Sequence, residues 1–217
     1  MSYLYYVIIA IVSYFVGNVT FARVISKINH GDVTKSGSGN PGTLNTWRTF
    51  GFWPGVFTFL LDMAKGLVVC LLAYLLSNFM GTNREIALYI AGFFVVLGHI
   101  FPIIFKFKGG KGIATSVGVF LVANPLVGGI LLVVMIVSML FIKYASICTL
   151  LYVTIMSIVE ICLNFPPLWI NYILISGILL LVVYAHRKNI YRLLTGKENK
   201  TELLAMLKGI GKKKAND

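Results

Sequence analysis

The chain has 217 residues, 58% of them hydrophobic and only 12% charged, with a mean hydropathy of +0.87. Soluble domains carry about 25% charged residues, so a soluble globular protein is excluded and an integral membrane protein is indicated. Nineteen Lys and Arg face seven Asp and Glu, a formal net charge of +12. In a membrane protein that excess marks cytoplasmic loops beside anionic lipid and suits phosphorylated substrates, with no nucleic-acid partner implied.

Residues 3–22 form the first apolar run, with no basic segment before it and no small-residue cleavage site after it, so it reads as a retained helix and not a signal peptide. Arg23 and Lys27 follow it, which places the amino terminus outside and residue 23 onward in the cytoplasm. The polar stretch 23–53 contains Ser36-Gly37-Ser38-Gly39-Asn40-Pro41-Gly42-Thr43-Leu44-Asn45-Thr46-Trp47-Arg48. A flexible linker has no need of Asn40, Asn45 and Arg48 among its glycines. Hydroxyls, amides and a guanidinium suit an anionic polar head group.

The second span, 54–77, carries Asp62 and Lys65 at i, i+3, a spacing at which a helix pairs them. Intramembrane charges are costly, and this pair is expected to neutralise itself and support the first loop. After a short outer loop at 78–85, the third span, 86–105, ends with His99, read as a hydrogen-bonded packing residue. It runs into Gly98-His99-Ile100-Phe101-Pro102-Ile103-Ile104-Phe105-Lys106-Phe107-Lys108-Gly109-Gly110-Lys111-Gly112-Ile113-Ala114-Thr115. Glycines 109, 110 and 112 are expected to let successive backbone N–H groups form a nest feeding a helix N-terminus, with Lys111 as a mobile charge for a bound phosphate. The run is not a P-loop, because Gly112 and Ile113 follow the lysine where Ser or Thr is required.

Residues 113–142 are apolar but interrupted at Asn124-Pro125 and Gly128-Gly129. One helix here would put the basic carboxy terminus outside. Two, at 113–123 and 126–142, put it inside, as the charge rule demands. With spans at 145–163 and 169–187, the expected fold is an all-α integral membrane protein of seven transmembrane helices, its amino terminus outside and its carboxy terminus cytoplasmic. Glu160 is expected at the outer interface, Phe165-Pro166-Pro167 as an outer turn, and Trp169 with Tyr172 as an aromatic belt. Cys70, Cys148 and Cys162 lie in apolar runs and read as small buried hydrophobes. Span seven ends in His186-Arg187-Lys188-Asn189-Ile190-Tyr191-Arg192-Leu193-Leu194-Thr195-Gly196-Lys197-Glu198, where His186 and Asn189 share one helix face. Residues 1–198 read as one membrane domain and 199–217 as a basic tail, a surface helix or disordered, without chemistry of its own.

Three polar clusters, 36–48, 98–115 and 186–198, therefore fall on one membrane face. Together they resemble the motifs of the acyl-phosphate-dependent glycerol-3-phosphate acyltransferase family (PlsY) of bacterial phospholipid synthesis. Ser38-Gly39-Asn40 through Asn45 and Arg48 is similar to its first motif. Gly98-His99, Phe101-Pro102 and Phe107 to Thr115 resemble its second, and His186-Arg187 through Glu198 its third. Asp62-x-x-Lys65-Gly66 also matches a family pattern.

The resemblance implies a multi-pass enzyme of the bacterial cytoplasmic membrane, its active site on the cytoplasmic side, acting as a monomer without cofactor or metal. It implies transfer of a fatty acyl group from acyl phosphate to the 1-hydroxyl of glycerol 3-phosphate, giving 1-acylglycerol 3-phosphate and phosphate. His186, Asn189 and Lys111 would be the catalytic residues. Ser38, Asn40, Asn45, Arg48, Gly109, Gly110 and Gly112 would bind substrate. The His-x4-Asp dyad of soluble-donor acyltransferases is absent after His30, His99 and His186, and an already activated acyl phosphate lowers the demand for a strong base. The chief rival is a transporter of phosphate or a sugar phosphate, but such proteins place their sites near the bilayer midplane, often within an internal repeat, and no repeat is visible. A phosphatidyl-alcohol transferase would need an aspartate-rich metal motif that seven scattered acidic residues do not supply.

Overall fold

The computed structural model describes residues 2–163, 168–201 and 203. Phe165-Pro166-Pro167 and the greater part of the tail lie outside the described residues. Among the described residues ten α-helices follow in order: α1 Ser2–Asn18, α2 Phe21–Ile28, α3 Thr43–Phe50, α4 Phe52–Leu76, α5 Arg84–Ile100, α6 Ile113–Ala123, α7 Pro125–Phe141, α8 Ala145–Leu163, α9 Trp169–Ala185 and α10 Arg187–Leu194. No strand occurs among the described residues.

Among the described residues, four stretches are long and apolar enough to cross a membrane: 3–28, 52–76, 84–105 and 145–163. Helices α9 and α10, bent by 58° at their junction, pass the same test together and give a fifth if counted as one span. The expected break at Asn124-Pro125 is present. Asn124 caps α7, its side chain accepting from Val127 N at 3.2 Å, and Pro125 takes the first helical position, where its missing N–H costs nothing. Both halves are short, 11 residues in α6 and 17 in α7.

Helix α5 is the hub, packed against α1, α4, α6 and α9. Its Ala87, Ala91 and Val95, all at 0% exposure, recur at four-residue spacing, and small side chains let neighbouring backbones approach. Gly98 of α5 meets the Tyr14 carbonyl of α1 so closely that a Cβ would stand 2.1 Å from that oxygen. A Cβ on Gly66 of α4 would stand 2.3 Å from the Thr115 carbonyl of α6. The outward faces are apolar, with Val7, Ile11 and Phe15 of α1 and Leu126, Ile130 and Val133 of α7 exposed. That inversion of the soluble pattern is what a bilayer-embedded bundle requires.

Two expectations at the far end change. Glu160 is buried, not interfacial, and accepts a hydrogen bond from the Tyr89 hydroxyl at 2.6 Å. A carboxyl at this depth needs a donor, and α5 supplies one. Cys70 and Cys148 are buried as expected, but Cys162, in the last turn of α8, is exposed. Trp169 is largely exposed and its ring lies 6.1 Å from that of Tyr172.

Candidate active site

The stretch 23–51 is not a linker. Val33–Lys35 forms a short 3-10 turn whose N-cap, Asp32, accepts from Thr34 N at 2.9 Å. Asn45, in the first turns of α3, is 2% exposed and has its amide fully engaged. Its Oδ1 accepts from Ser38 N at 2.9 Å, and its Nδ2 donates to the carbonyls of Val33 at 2.8 Å and Ser36 at 3.0 Å. The amide thus holds the loop in shape and presents Ser38 and Asn40. Arg48 leaves the last turn of α3 toward the carboxy-terminal chain, where its guanidinium donates to Thr201 Oγ1 at 3.0 Å.

The glycine–lysine stretch forms the second wall. Pro102 opens a short 3-10 turn, Ile103–Phe105, and Lys106 and Phe107 follow with φ of 52° and 60°. Two consecutive non-glycine residues in the left-handed region store strain, which surrounding contacts must hold. Arg23 supplies one: it donates to the Lys108 carbonyl at 2.9 Å and lies over the Phe105 ring at 4.4 Å.

The expected nest is narrower than three glycines. The N–H groups of Gly109 and Gly110 are spent on the carbonyls of Ile100 at 3.2 Å and His99 at 3.1 Å. Both glycines serve close approach instead: a Cβ on Gly110 would stand 2.2 Å from His99 Nε2, and one on Gly109 2.0 Å from His99 O. Only Gly112, the N-cap of α6, uses the left-handed freedom, with φ of +83°. The N–H groups of the first turn of α6 have no intrahelical partners, so the anion-attracting element is that helix start with Lys111 beside it.

Behind this wall lies a buried charge triad. Lys65 Nζ is 2.8 Å from Asp62 Oδ1 and 2.8 Å from His99 Nδ1, and it donates to the carbonyls of Gly17 at 3.2 Å and Val19 at 2.6 Å. The pair does neutralise itself. What it supports is the α1–α2 break and, through His99, the glycine stretch, in place of the expected first loop.

The third wall is built at the α9–α10 bend. His186 caps α9, is 1% exposed, and its Nδ1 lies 2.8 Å from the Val182 carbonyl. A carbonyl can only accept, so the imidazole proton sits on Nδ1 and Nε2 is the ring's acceptor. Asn189 Nδ2 donates to Glu198 Oε1 at 2.6 Å, Ser146 Oγ donates to the same oxygen at 3.1 Å, and Arg192 Nε donates to Glu198 Oε2 at 2.8 Å. Burial raises the Glu198 carboxyl, but hydrogen bonds from Arg192, Asn189 and Ser146 outweigh it and keep it below the usual carboxylate range. Burial lowers Lys111 to about 8. The nearby Glu198 carboxylate opposes that shift, and Arg192 and Arg48 add to it.

All ten sequence-predicted residues line a single cavity of about 830 Å³: Ser38, Asn40, Asn45, Arg48, Gly109, Gly110, Lys111, Gly112, His186 and Asn189. The remaining lining is largely apolar where α4 and α7 contribute it, through Val56 and Phe59 and through Met135, Ile136 and Met139. One chamber therefore combines a cationic, hydrogen-bonding region with a greasy wall, within the usual size range for a small-ligand site. Sequence reasoning missed four contributors. Arg23 had been read only as a topological charge, Ser146 is one hydroxyl in an apolar helix, and Thr201 belongs to the tail. Glu198 had been matched to a motif without a role. Only Glu198 carried a signal, as the acidic residue of a basic segment.

The sequence model of the glycerol-3-phosphate acyltransferase family matches residues 7–196. A glycerol-3-phosphate acyltransferase of Finegoldia magna is 42% identical over 204 residues, covering 92% of this chain and 98% of that protein. Glycerol-3-phosphate acyltransferase 2 of Bacillus anthracis is 37% identical, covering 88% of this chain and 96% of its own. Among solved structures, PlsY (YgiH), described as an integral membrane glycerol 3-phosphate acyltransferase, in its glycerol 3-phosphate form superposes with a TM-score of 0.82 at 33% identity, covering 93% of this chain and 98% of that one. Its lysophosphatidic acid form gives a TM-score of 0.80 at the same identity and coverage.

Proposed function

The chain belongs to the glycerol-3-phosphate acyltransferase family, and from that membership we propose that it moves a fatty acyl group from acyl phosphate to the 1-hydroxyl of glycerol 3-phosphate, releasing phosphate and 1-acylglycerol 3-phosphate. The observation that carries this reading is the meeting of three polar segments, far apart in sequence, in one chamber that also has an apolar wall. A donor with a fatty chain and a phosphate, meeting an acceptor with a phosphate of its own, needs both surfaces at once.

In this reading the α6 N-terminus, Lys111, Arg48 and Ser38 hold phosphate oxygens, and Val56, Phe59, Met135 and Met139 face the acyl chain. The 1-hydroxyl oxygen attacks the acyl carbonyl carbon, the carbon–oxygen bond to phosphate breaks, and phosphate leaves with the electron pair. The hydroxyl proton passes to the phosphate of glycerol 3-phosphate, whose second pKa near 6 suits transfer at neutral pH. His186 Nε2, an acceptor aligned by the Val182 contact, orients the hydroxyl, and Asn189, fixed by Glu198, positions the substrates. If a neutral acceptor lacking the phosphate is acylated at a similar saturating rate by wild type but not by His186→Gln, the imidazole is the base instead.

Counting α6 and α7 as short spans gives seven crossings, and the positive-inside rule then puts the amino terminus outside and the chamber on the cytoplasmic side of a bacterial cell membrane. Purified protein given palmitoyl phosphate and glycerol 3-phosphate, without coenzyme A or added metal, should form lysophosphatidate and phosphate in equal amounts. Turnover with acyl-coenzyme A and none with palmitoyl phosphate would refute the donor assignment.

A further inference from the structure

We propose that Thr201 is a positioning residue for the Arg48 guanidinium, so that the chain beyond Glu198 completes the phosphate-binding end of the cavity. This rests on the acyl-transfer reading above, in which Arg48 contacts a substrate phosphate.

Thr201 follows a lysine at the start of a lysine-rich tail, a composition that predicts a solvated segment. It is instead 3% exposed and lines the cavity. Two contacts tie it down: its backbone N–H donates to the Lys143 carbonyl between α7 and α8 at 2.6 Å, and its hydroxyl accepts from Arg48 at 3.0 Å. Three residues earlier, Glu198 is tied to α8 and α10 through Ser146, Asn189 and Arg192. The chain from 198 to 201 is thus fastened at both ends across the site, and Leu203 beyond it is 9% exposed and also lines the cavity. The family model ends at residue 196, so Thr201 falls beyond the matched region.

Arginine has five N–H donors in a rigid fork. Among the described residues Thr201 is the sole hydrogen-bond partner of that fork, so one donor is anchored and the others remain for a phosphate. A side chain with many rotamers that is already held in its bound orientation loses less freedom when ligand arrives, and binding tightens. The contribution should therefore appear in affinity for the phosphate-bearing acceptor and not in the chemical step.

The test compares Thr201→Val, which keeps the shape but removes the acceptor, with Thr201→Ser, which keeps the hydroxyl. Thr201→Val should raise KM for glycerol 3-phosphate about tenfold, leave kcat and KM for palmitoyl phosphate within about twofold of wild type, and have no effect in an Arg48→Ala background. Thr201→Ser should restore the wild-type KM. An unchanged KM in Thr201→Val, equal impairment of both variants, or an effect that persists without Arg48 would overturn the proposal. Thr201→Ala is the substitute if the valine variant does not fold. Equilibrium binding of glycerol 3-phosphate reads the same contact without acyl transfer. A wild-type protein that binds this ligand but does not turn over would count against the proposed function and not against Thr201.

Discussion

Lys111 offers a pH test of the phosphate clamp whose sign follows from its surroundings. Burial, with Arg192 and Arg48 close by, lowers its pKa from 10.5 to about 8, against the opposing pull of Glu198. The difference corresponds to about 3 kcal/mol disfavouring the charged form in the unliganded protein. Through linkage, unliganded stability should rise between about pH 8 and 10.5, because there the unfolded chain holds the proton that the folded one has lost. Binding runs the other way. A phosphate dianion restores the charged lysine, so affinity for glycerol 3-phosphate should weaken about twofold from about pH 7 to 8 and more steeply above. At about pH 9, about ten in eleven unliganded molecules carry a neutral Lys111, and the dissociation constant should be about tenfold higher than at about pH 7. The substrate adds no slope of its own there, its second pKa being near 6. Calorimetric titration of protein in lipid vesicles across this range measures the curve, and Lys111→Arg, which keeps its proton, should flatten it. A wild-type constant that does not change up to about pH 9.5 would refute the assignment of Lys111 to the phosphate.

Removing one partner of the Asp62–Lys65 pair, as in Asp62→Asn or Lys65→Met, should cost about 3–5 kcal/mol, and replacing both with apolar residues should recover most of it; thermal unfolding in one detergent reads both, and additive losses would contradict a neutralising pair. Arg48→Ala should reduce kcat/KM at least about tenfold, since charge-assisted hydrogen bonds contribute about 1.5–3 kcal/mol. Lys108→Ala should change it less than about twofold, because Lys108 takes part through its backbone carbonyl, which accepts from Arg23. For topology, Asn216→Cys in a Cys162→Ser background, which removes the exposed native thiol, should be labelled by an impermeant maleimide only from the cytoplasmic side. Labelling from outside would end the seven-span arrangement.

Much of the site was legible because polar residues are rare in this chain and hence conspicuous. Three clusters separated by apolar runs of even parity must share a face, and their residues do line one cavity. What the sequence hid was the use to which each polar atom is put. Asn45 looks like a ligand-binding amide, yet its partners are backbone groups of Ser38, Val33 and Ser36, and backbone carries no sequence signature. Gly109 and Gly110 read as a nest by spacing, but their N–H groups close onto α5, which only the fold of the Pro102 turn reveals. Glu160 was assigned to the interface from its distance along α8, while its burial depends on Tyr89 of another helix. Glu198 reaches Asn189 because the chain turns back after α10, at Gly196 with φ of +69°. Local contacts could be read from spacing, and contacts made by a reversal of the chain could not.

The spacing of Asp62 and Lys65 also bears on biogenesis. A nascent α4 enters the bilayer before α5 is made and before any bundle exists to shelter its charges. An unpaired aspartate or lysine at the centre of an inserting helix costs about 2.5–3.5 kcal/mol each. Because the two are i, i+3 on one helix and in contact at 2.8 Å, they compensate each other without waiting for a neighbour. The lysine that will later seal the end of α1, through the carbonyls of Gly17 and Val19, thus travels into the membrane with its own counter-ion, and partitioning of the helix is uncoupled from assembly of the bundle.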